Sequence, residues 1–339
     1  MKISIANIKK AAGLSIAKRM NVNKKHIVLT LQGSISVFHI NIVNFKLFLI
    51  KNPTMKNTFI LLCLLLTTVA FKSDKPAYRL YTSDGTRSDY TELLKKAQDA
   101  DIILFGELHD NPICHWLQLE LTRDLLETRK DKLVLGAEMF EADDQIALNE
   151  YLAGKLSEKT FKDEVKLWSN YKTDYKPLIE TAKTNKLRFI ATNIPRRYAN
   201  LVYNKGIEKL DSIETEAKKW ICPLPMKYNG NLRCYKEIFE SAGGHGGENL
   251  PKSQAIKDAT MAHFILKNWS KGQLFIHYNG TYHSNYHEGI EWYLKQQNQN
   301  LKVLTISSVE QEGIDTLSTD AKGLGDFIIC TPESMTKTQ

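Results

Sequence analysis

Glu107 and His109 lie two residues apart, directly after an apolar run (102–105) and a glycine, Gly106. In an extended segment residues two apart share a face, so both side chains can enter one site. A carboxylate beside an imidazole can ligate a metal or shuttle a proton. The alternative is that the pair caps the helical pattern that Pro112 opens and that runs to Arg129. A second apolar run, 133–139, also finishes among acids, with Glu138 followed by Phe140 and Glu141. Two consecutive strand ends carrying carboxylates point to a shared site rather than to two solvated loop acids. After the run 274–278, Gly280-Thr-Tyr-His283 repeats the glycine-to-histidine spacing of Gly106 and His109. Asn193 ends a further run, and Pro195-Arg196-Arg197 opens the next helix, where two guanidinium groups beside a helix start can hold an anion. Gln254, Asp258 and Met261 fall on one helix face. A buried polar pair there needs partners, and Gln254 and Asp258 are expected to support the site by hydrogen-bonding its residues.

The elements that position these residues alternate. Short apolar strands are expected at 102–105, 133–139, 187–191, 274–278, 301–307 and 327–330, with amphipathic helices between them. That order gives an α/β fold, a mostly parallel central sheet flanked by helices, with its chemistry at the carboxyl ends of the strands. Residues 141–186 read as helical throughout (141–153, 157–169 and 174–185), more than one crossover needs, and are expected to form a helical lid insertion. Its aromatics, Trp168, Tyr171 and Tyr175, are either packing or a wall for a flat apolar ligand.

The net charge of +8 is misleading. Residues 1–70 hold ten of the 46 Lys and Arg and no acid, leaving 36 basic against 38 acidic residues in the remainder. The main domain is therefore not basic, and nucleic acid is not expected as a partner. From Met55 a lysine, an apolar stretch and small residues up to Ala70 follow the pattern of a signal peptide. Residues 1–54 are then an upstream over-extension, 55–70 the signal peptide and 71–339 the α/β domain, lid at about 141–186. The rival reading is an N-terminal membrane anchor at 27–50, so membrane association stays open. Leu61-Leu62 before Cys63 make a poor lipid-attachment site, and lipidation is not supported. Export implies an oxidising compartment, in which Cys222 and Cys234 could be bridged. Cys114, in the first turn of a helix, is either an activated thiol or a small buried residue.

Taken together, Gly-Glu-Leu-His-Asp-Asn-Pro at 106–112, Glu-Met-Phe-Glu at 138–141, Asn-Ile-Pro-Arg at 193–196, Gln-x-x-x-Asp-x-x-Met-Ala at 254–262 and Gly-x-x-His at 280–283 resemble the ChaN-like family. The match runs in order over about residues 90–310. The family comprises iron-regulated, haem-binding bacterial proteins, often lipoproteins. The resemblance implies an exported haem-binding protein of iron or haem acquisition, periplasmic or outer-membrane associated, with two subunits sharing the haem pocket as a homodimer. It also implies an alternative. The family is similar to Tiki, TraB and erythromycin esterase-like proteins, which use Gly-x-x-His and glutamates for hydrolysis, in some cases with a metal. Glu107, His109, Glu138 and His283 would then be catalytic and hold a divalent metal ion. For haem, imidazole and phenolate both serve as axial ligands. Tyr175 is the expected ligand with His109 and His283 as rivals, Trp168, Tyr171 and Phe140 lining the porphyrin face and Arg196 or Arg197 pairing with a propionate.

Overall fold

The computed structural model describes residues 75–243 and 246–338. The readings of residues 1–54 and 55–70, with Cys63, lie outside the described residues. In chain order the elements are β1 (Arg79–Thr82), β2 (Arg87–Ser88), α1 (Tyr90–Gln98), β3 (Ile102–Glu107), α2 (Pro112–Arg129), β4 (Leu133–Glu141), α3 (Gln145–Leu152), α4 (Glu158–Glu164), α5 (Lys176–Thr184) and β5 (Arg188–Asn193). They continue with α6 (Arg196–Lys205), α7 (Arg233–Ser241), α8 (Asn249–Asn268), β6 (Leu274–Gly280), α9 (Ile290–Gln297), β7 (Val303–Gln311) and β8 (Phe327–Pro332).

The fold is α/β: one eight-stranded sheet in the order β2-β1-β8-β7-β3-β6-β4-β5. Strands β8 to β5 in that order are mutually parallel, and the β1–β2 hairpin adds an antiparallel edge. The period of two along each strand divides the core. Ile103 and Phe105 join the side chains of α1 to α5 on one face, and Ile102 and Leu104 join α6, α8 and α9 on the other. Burial on both faces is why the strands read as unbroken apolar runs.

Each central strand outruns its apolar stretch. β3 extends to Glu107, β4 to Glu141 and β6 to Gly280. The ladder carries on through the polar residues because backbone pairing does not depend on side-chain polarity: Gly106 pairs with Asn279 and Glu107 with Gly280. Glu107 and Glu138 are therefore fixed on strand ends, as expected, and are not solvated loop acids. Gly106, expected to break β3, lies inside it. A Cβ there would meet Ile306 O and Thr281 Cα, both at 2.9 Å, so the glycine permits a close backbone approach.

The segment 141–186 is only partly helical. β4 takes Glu141, residues 165–170 are not helix, and a π-helical turn, Tyr171–Tyr175, leads into α5. Leu148, Tyr151, Phe161, Leu178 and Ile179 pack into the core of the sheet. Most of the insertion is thus part of one helical layer, because its apolar faces find the sheet. α2 begins at Pro112, as expected, but Asn111 caps it, its Oδ1 accepting the N–H groups of Ile113 and Cys114. Glu107 and His109 are left free for other work. Cys222 and Cys234 are free buried thiols, not a disulfide. Cys114 is fully buried and burial pushes its thiol up to about 12, so it is the small buried residue of the two readings. Among the described residues no helix is long and apolar enough to cross a membrane.

Replacing Gly106 by Ala should cost about 1–3 kcal/mol through overpacking against backbone. Gly313→Ala, where a Cβ meets nothing within 4 Å, should be near neutral. Urea unfolding of the two variants checks this, and an unaffected G106A would show that the strand ends can part.

Candidate functional site

The carboxyl ends of β3, β6 and β4 lie side by side and set Glu107, Gly280 and Glu138 along one edge of the sheet. Glu107 is 1 % exposed, in a place where an unpaired carboxylate would cost several kcal/mol. It is surrounded by donors. His109 Nδ1 lies 2.9 Å from Oε1 and Tyr175 Oη donates to Oε1 at 2.7 Å. Gln118 Nε2 donates to Oε2 at 2.6 Å, and His115 Nδ1 stands 3.6 Å away. Burial alone would raise the Glu107 pKa, but the bond from His109 and the charges of His115 and His109 outweigh it, and the group is lowered and stays ionised.

The second cluster is a relay. Tyr235 of α7 donates to Asp258 Oδ2 at 2.8 Å, and His283 Nδ1 donates to Asp258 Oδ1 at 2.5 Å. His283 Nε2 lies 3.1 Å from Glu138 Oε1, and the Gly280 N–H donates to Glu138 Oε2 at 2.8 Å. Burial opposes charge on His283, but the carboxylates on either side win and push its pKa up to about 10. Burial likewise opposes charge on Glu138, and the His283 imidazolium holds it below the usual carboxylate range. His277, three residues before Gly280 on β6, is a core histidine. Both its nitrogens are bonded, to Thr192 at 2.7 Å and Asn279 at 3.0 Å.

The two clusters meet at Gly280. A Cβ on that residue would lie 2.7 Å from His109 Nε2 and 3.5 Å from Glu138 Oε2, so the imidazole rests on the bare glycine. With Nδ1–H given to Glu107, Nε2 is the free nitrogen, and His109 lines a cleft of about 530 Å³. Burial alone would lower the His109 pKa. The Glu107 bond and the Glu138 charge exceed that effect and raise it. Trp168 crosses the imidazole edge-on at 4.8 Å.

The cleft brings together His109, Glu138, Trp168, Asn193, Arg196, Gln254 and His283. Glu107 and Asp258 stand behind the cleft as partners of its histidines, and four of the expected haem-binding residues stand elsewhere. Tyr175 is 2 % exposed and lies behind His109, its hydroxyl bound to Glu107, so it is not placed as an axial ligand. Tyr171 and Phe140 pack in the core against each other and Phe161 or Phe189, and line no porphyrin face. Arg197 turns to Asp143 at 2.6 Å. Asp258 is the expected supporting partner of His283, whereas Gln254 supports nothing: its Oε1, like Asn193 Oδ1, is buried without a hydrogen-bond partner. Among the described residues no group of three or more His, Cys, Asp or Glu is set to hold a metal ion. The proposed set does not fit one because, His109 Nε2 apart, its members are taken up in the Glu107–His109 and Glu138–His283 pairs. The sequence reading missed Gln118 and His115, which one helix turn puts beside Glu107, and also Lys257, Tyr203 and Tyr282 of the cleft wall. Tyr282 lies within the Gly-x-x-His motif itself.

A family described as "Haem-binding uptake, Tiki superfamily, ChaN" matches residues 93–294, and the chain belongs to that family. The fold resembles that of ChaN of Campylobacter jejuni, reported with cofacial haem binding, at a TM-score of 0.56 and 16% identity over 74% of this chain and 96% of that one. An erythromycin esterase in an open conformation aligns at a TM-score of 0.43 and 12% identity over 76% of this chain and 98% of that one, too loosely to bear on chemistry. Protein RETICULATA-RELATED 5, a chloroplastic protein of Arabidopsis thaliana, is 28% identical over 142 residues, 40% of this chain. The chain spans about a fifth of the length of that relative, since the match covers 19% of it.

The relay makes stability depend on pH. Glu138, depressed in the fold, contributes above its ordinary value of 4.5 and loses its contribution as pH falls. His283, raised, contributes fully below its ordinary 6.5 and loses its contribution as pH rises toward about 10. The pair should therefore stabilise most between those ordinary values and fade through the alkaline range. Urea midpoints at pH 5.5 and 9 should fall in the wild type and fall less in His283→Gln; equal slopes would remove the imidazolium from the account.

Proposed function

We propose that this protein binds haem in the cleft, with His109 Nε2 as the iron ligand, and serves haem or iron uptake outside the cytoplasm. The observation that carries this reading is the state of His109. Its Nδ1–H is fixed by a buried carboxylate and its Nε2 is unbonded, on a residue that lines the cleft, the arrangement by which proteins orient a metal-ligating imidazole. The family's description as haem-binding uptake proteins supports it. When bound, haem supplies an iron that accepts such an axial nitrogen. Of the rivals, His283 has both nitrogens engaged and is held protonated, and Tyr175 is buried away from the cleft. Trp168 covers one side of the imidazole and limits water there.

The stretch 55–70 supports export to the periplasm or outer membrane, with the domain beginning near residue 71. Cofacial haem in the Campylobacter protein, carried to this chain, fits two copies meeting at their open clefts, a homodimer formed with the ligand. The alternative, a metal-dependent hydrolase, draws on Glu107, His109, Glu138 and His283. Their mutual pairing leaves no shared set of donors for a divalent ion, so haem is the reading adopted.

Titrating the purified protein with haem should give a saturable Soret change, and His109→Ala should alter the band position and weaken binding by about tenfold or more. Tyr203→Phe and Tyr282→Phe should leave the band in place; a shift in either would move the ligand to the cleft rim. Because the proton competes with iron for Nε2 and the His109 pKa is raised, binding should strengthen with pH about a midpoint above 6.5. Glu107→Gln removes the charge that raises it, so the midpoint should move down.

A further inference from the structure

His109 is held at two points. Its ring is fixed by Glu107, and its backbone carbonyl by a second network whose members do not line the cleft. That carbonyl accepts from Asn170 Nδ2 at 2.8 Å and lies 3.1 Å from His115 Nε2. Both neighbours meet on Asp174. Asn170 Nδ2 donates to Asp174 Oδ2 at 2.7 Å, and His115 Nε2 stands 3.4 Å from the same oxygen. Asn170, His115 and Asp174 are each at most 5 % exposed. Asp174 directly precedes Tyr175 in the π-helical turn, and Tyr175 donates to Glu107. One turn therefore supports the ring of His109 through one residue and its carbonyl through the residue before. Single π turns of this kind are frequent at functional sites.

The segment that follows β8 completes the network from outside. Thr338 Oγ1 donates to Asp174 Oδ2 at 2.7 Å, and the Thr338 N–H donates to the Asp110 carbonyl at 2.9 Å. Lys337 pairs with Glu310, and with Asp110 Oδ1 at 3.4 Å. Glu310 Oε1 in turn accepts from Asn111, the cap of α2, at 2.8 Å. The loop 108–111 is thus gripped on one side by the π turn and on the other by residues 337 and 338. The grip is polar. Residues 335–338 belong to no helix or strand and none of them is buried, so they can leave without opening the core.

We infer that residues 335–338 form a strap that clamps the loop carrying His109, with Thr338 and Asp174 as positioning residues of the iron ligand. The role toward iron rests on the haem reading and deepens it; the clamp itself does not need it. With the strap docked, ring and carbonyl of His109 are both fixed and Nε2 keeps one direction. With the strap released, Asp174 loses a donor, Asn170 and His115 lose their common anchor, and the loop gains freedom that a bound iron must remove again.

Two measurements on the full-length protein separate the clamp from its effect. Hydrogen exchange of the unliganded protein reads the loop at the Asn111 amide, which donates to the Leu108 carbonyl. Haem titration at the Soret band reads the ligand. Thr338→Val keeps the shape and removes the hydroxyl; Asp174→Asn removes the charge at the hub. Each should speed exchange at Asn111 by about tenfold and leave the amides of β6 unchanged. Each should also weaken haem binding by about tenfold, mainly as faster release, and Thr338→Ser should restore both readouts. Unchanged Asn111 exchange in both variants would overturn the strap, whatever the haem result. Faster exchange with unchanged haem affinity would overturn the positioning roles. If the wild type takes up no haem, the haem reading falls, and faster Asn111 exchange in the variants would still establish the clamp on His109.

Discussion

The buried carboxylate of Glu107 is the constraint on which the rest of the site depends. A charge at the end of a central strand, with no access to water, must be matched by donors or not be there at all. Here the donors come from three places. His109 follows it in the chain, Gln118 comes from the next helix, and Tyr175 comes from the π-helical turn at the far side of the insertion. Each bond draws its element against the strand end. The need to saturate one acid thereby closes the insertion onto the sheet and takes Tyr175 out of the cleft. The same need fixes the tautomer of His109 and leaves Nε2 outward.

A second acid solves the same problem in another way. Glu138 is matched by a histidine that is itself matched by Asp258, and the chain of bonds ends in the phenol of Tyr235. This relay ties β4, β6, α7 and α8 together. Gly289, with φ at 54°, lets the chain turn where a side chain would strike the His283 carbonyl oxygen. The two clusters stay separate, and the imidazole of His109 lies over Gly280 between them. Their consequence is asymmetry: a floor satisfied from within except at His109 Nε2, opposite a wall on which Asn193 Oδ1 and Gln254 Oε1 are buried without a hydrogen-bond partner.

Membership of the ChaN family and the α/β fold agree with the motifs read along the chain, and the reason is physical. Four of the five motifs are a strand end or a helix start, where a few residues must be both structural and chemical, and the fifth, at 254–262, lies within α8. Tyr175 is the instructive failure. Its Tyr-x-Pro setting in an aromatic helical segment suits a ligand wall as well as a packed turn, and only the position of Glu107 decides between them. Arg196 and Arg197 fail as a pair for a similar reason. Adjacent helical residues point about 100° apart, so one reaches the cleft and the other Asp143.

The sequence by itself determined what local patterns can carry: the strand order of apolar runs, a sheet buried on both faces, Pro112 at the helix start, and the acids and histidines gathered at carboxyl ends. Those features follow from periodicity and from covalent adjacency, as with Glu107 and His109. Tertiary structure alone decided who pairs with whom. That Gln118 and Tyr175 serve Glu107, that Asp258 serves His283, that Gln254 serves nothing in the protein, and that Gly106 lies inside its strand depend on contacts between residues far apart in the chain. Such contacts are set by packing and by the demand that every buried charge find a donor, and no local pattern encodes them.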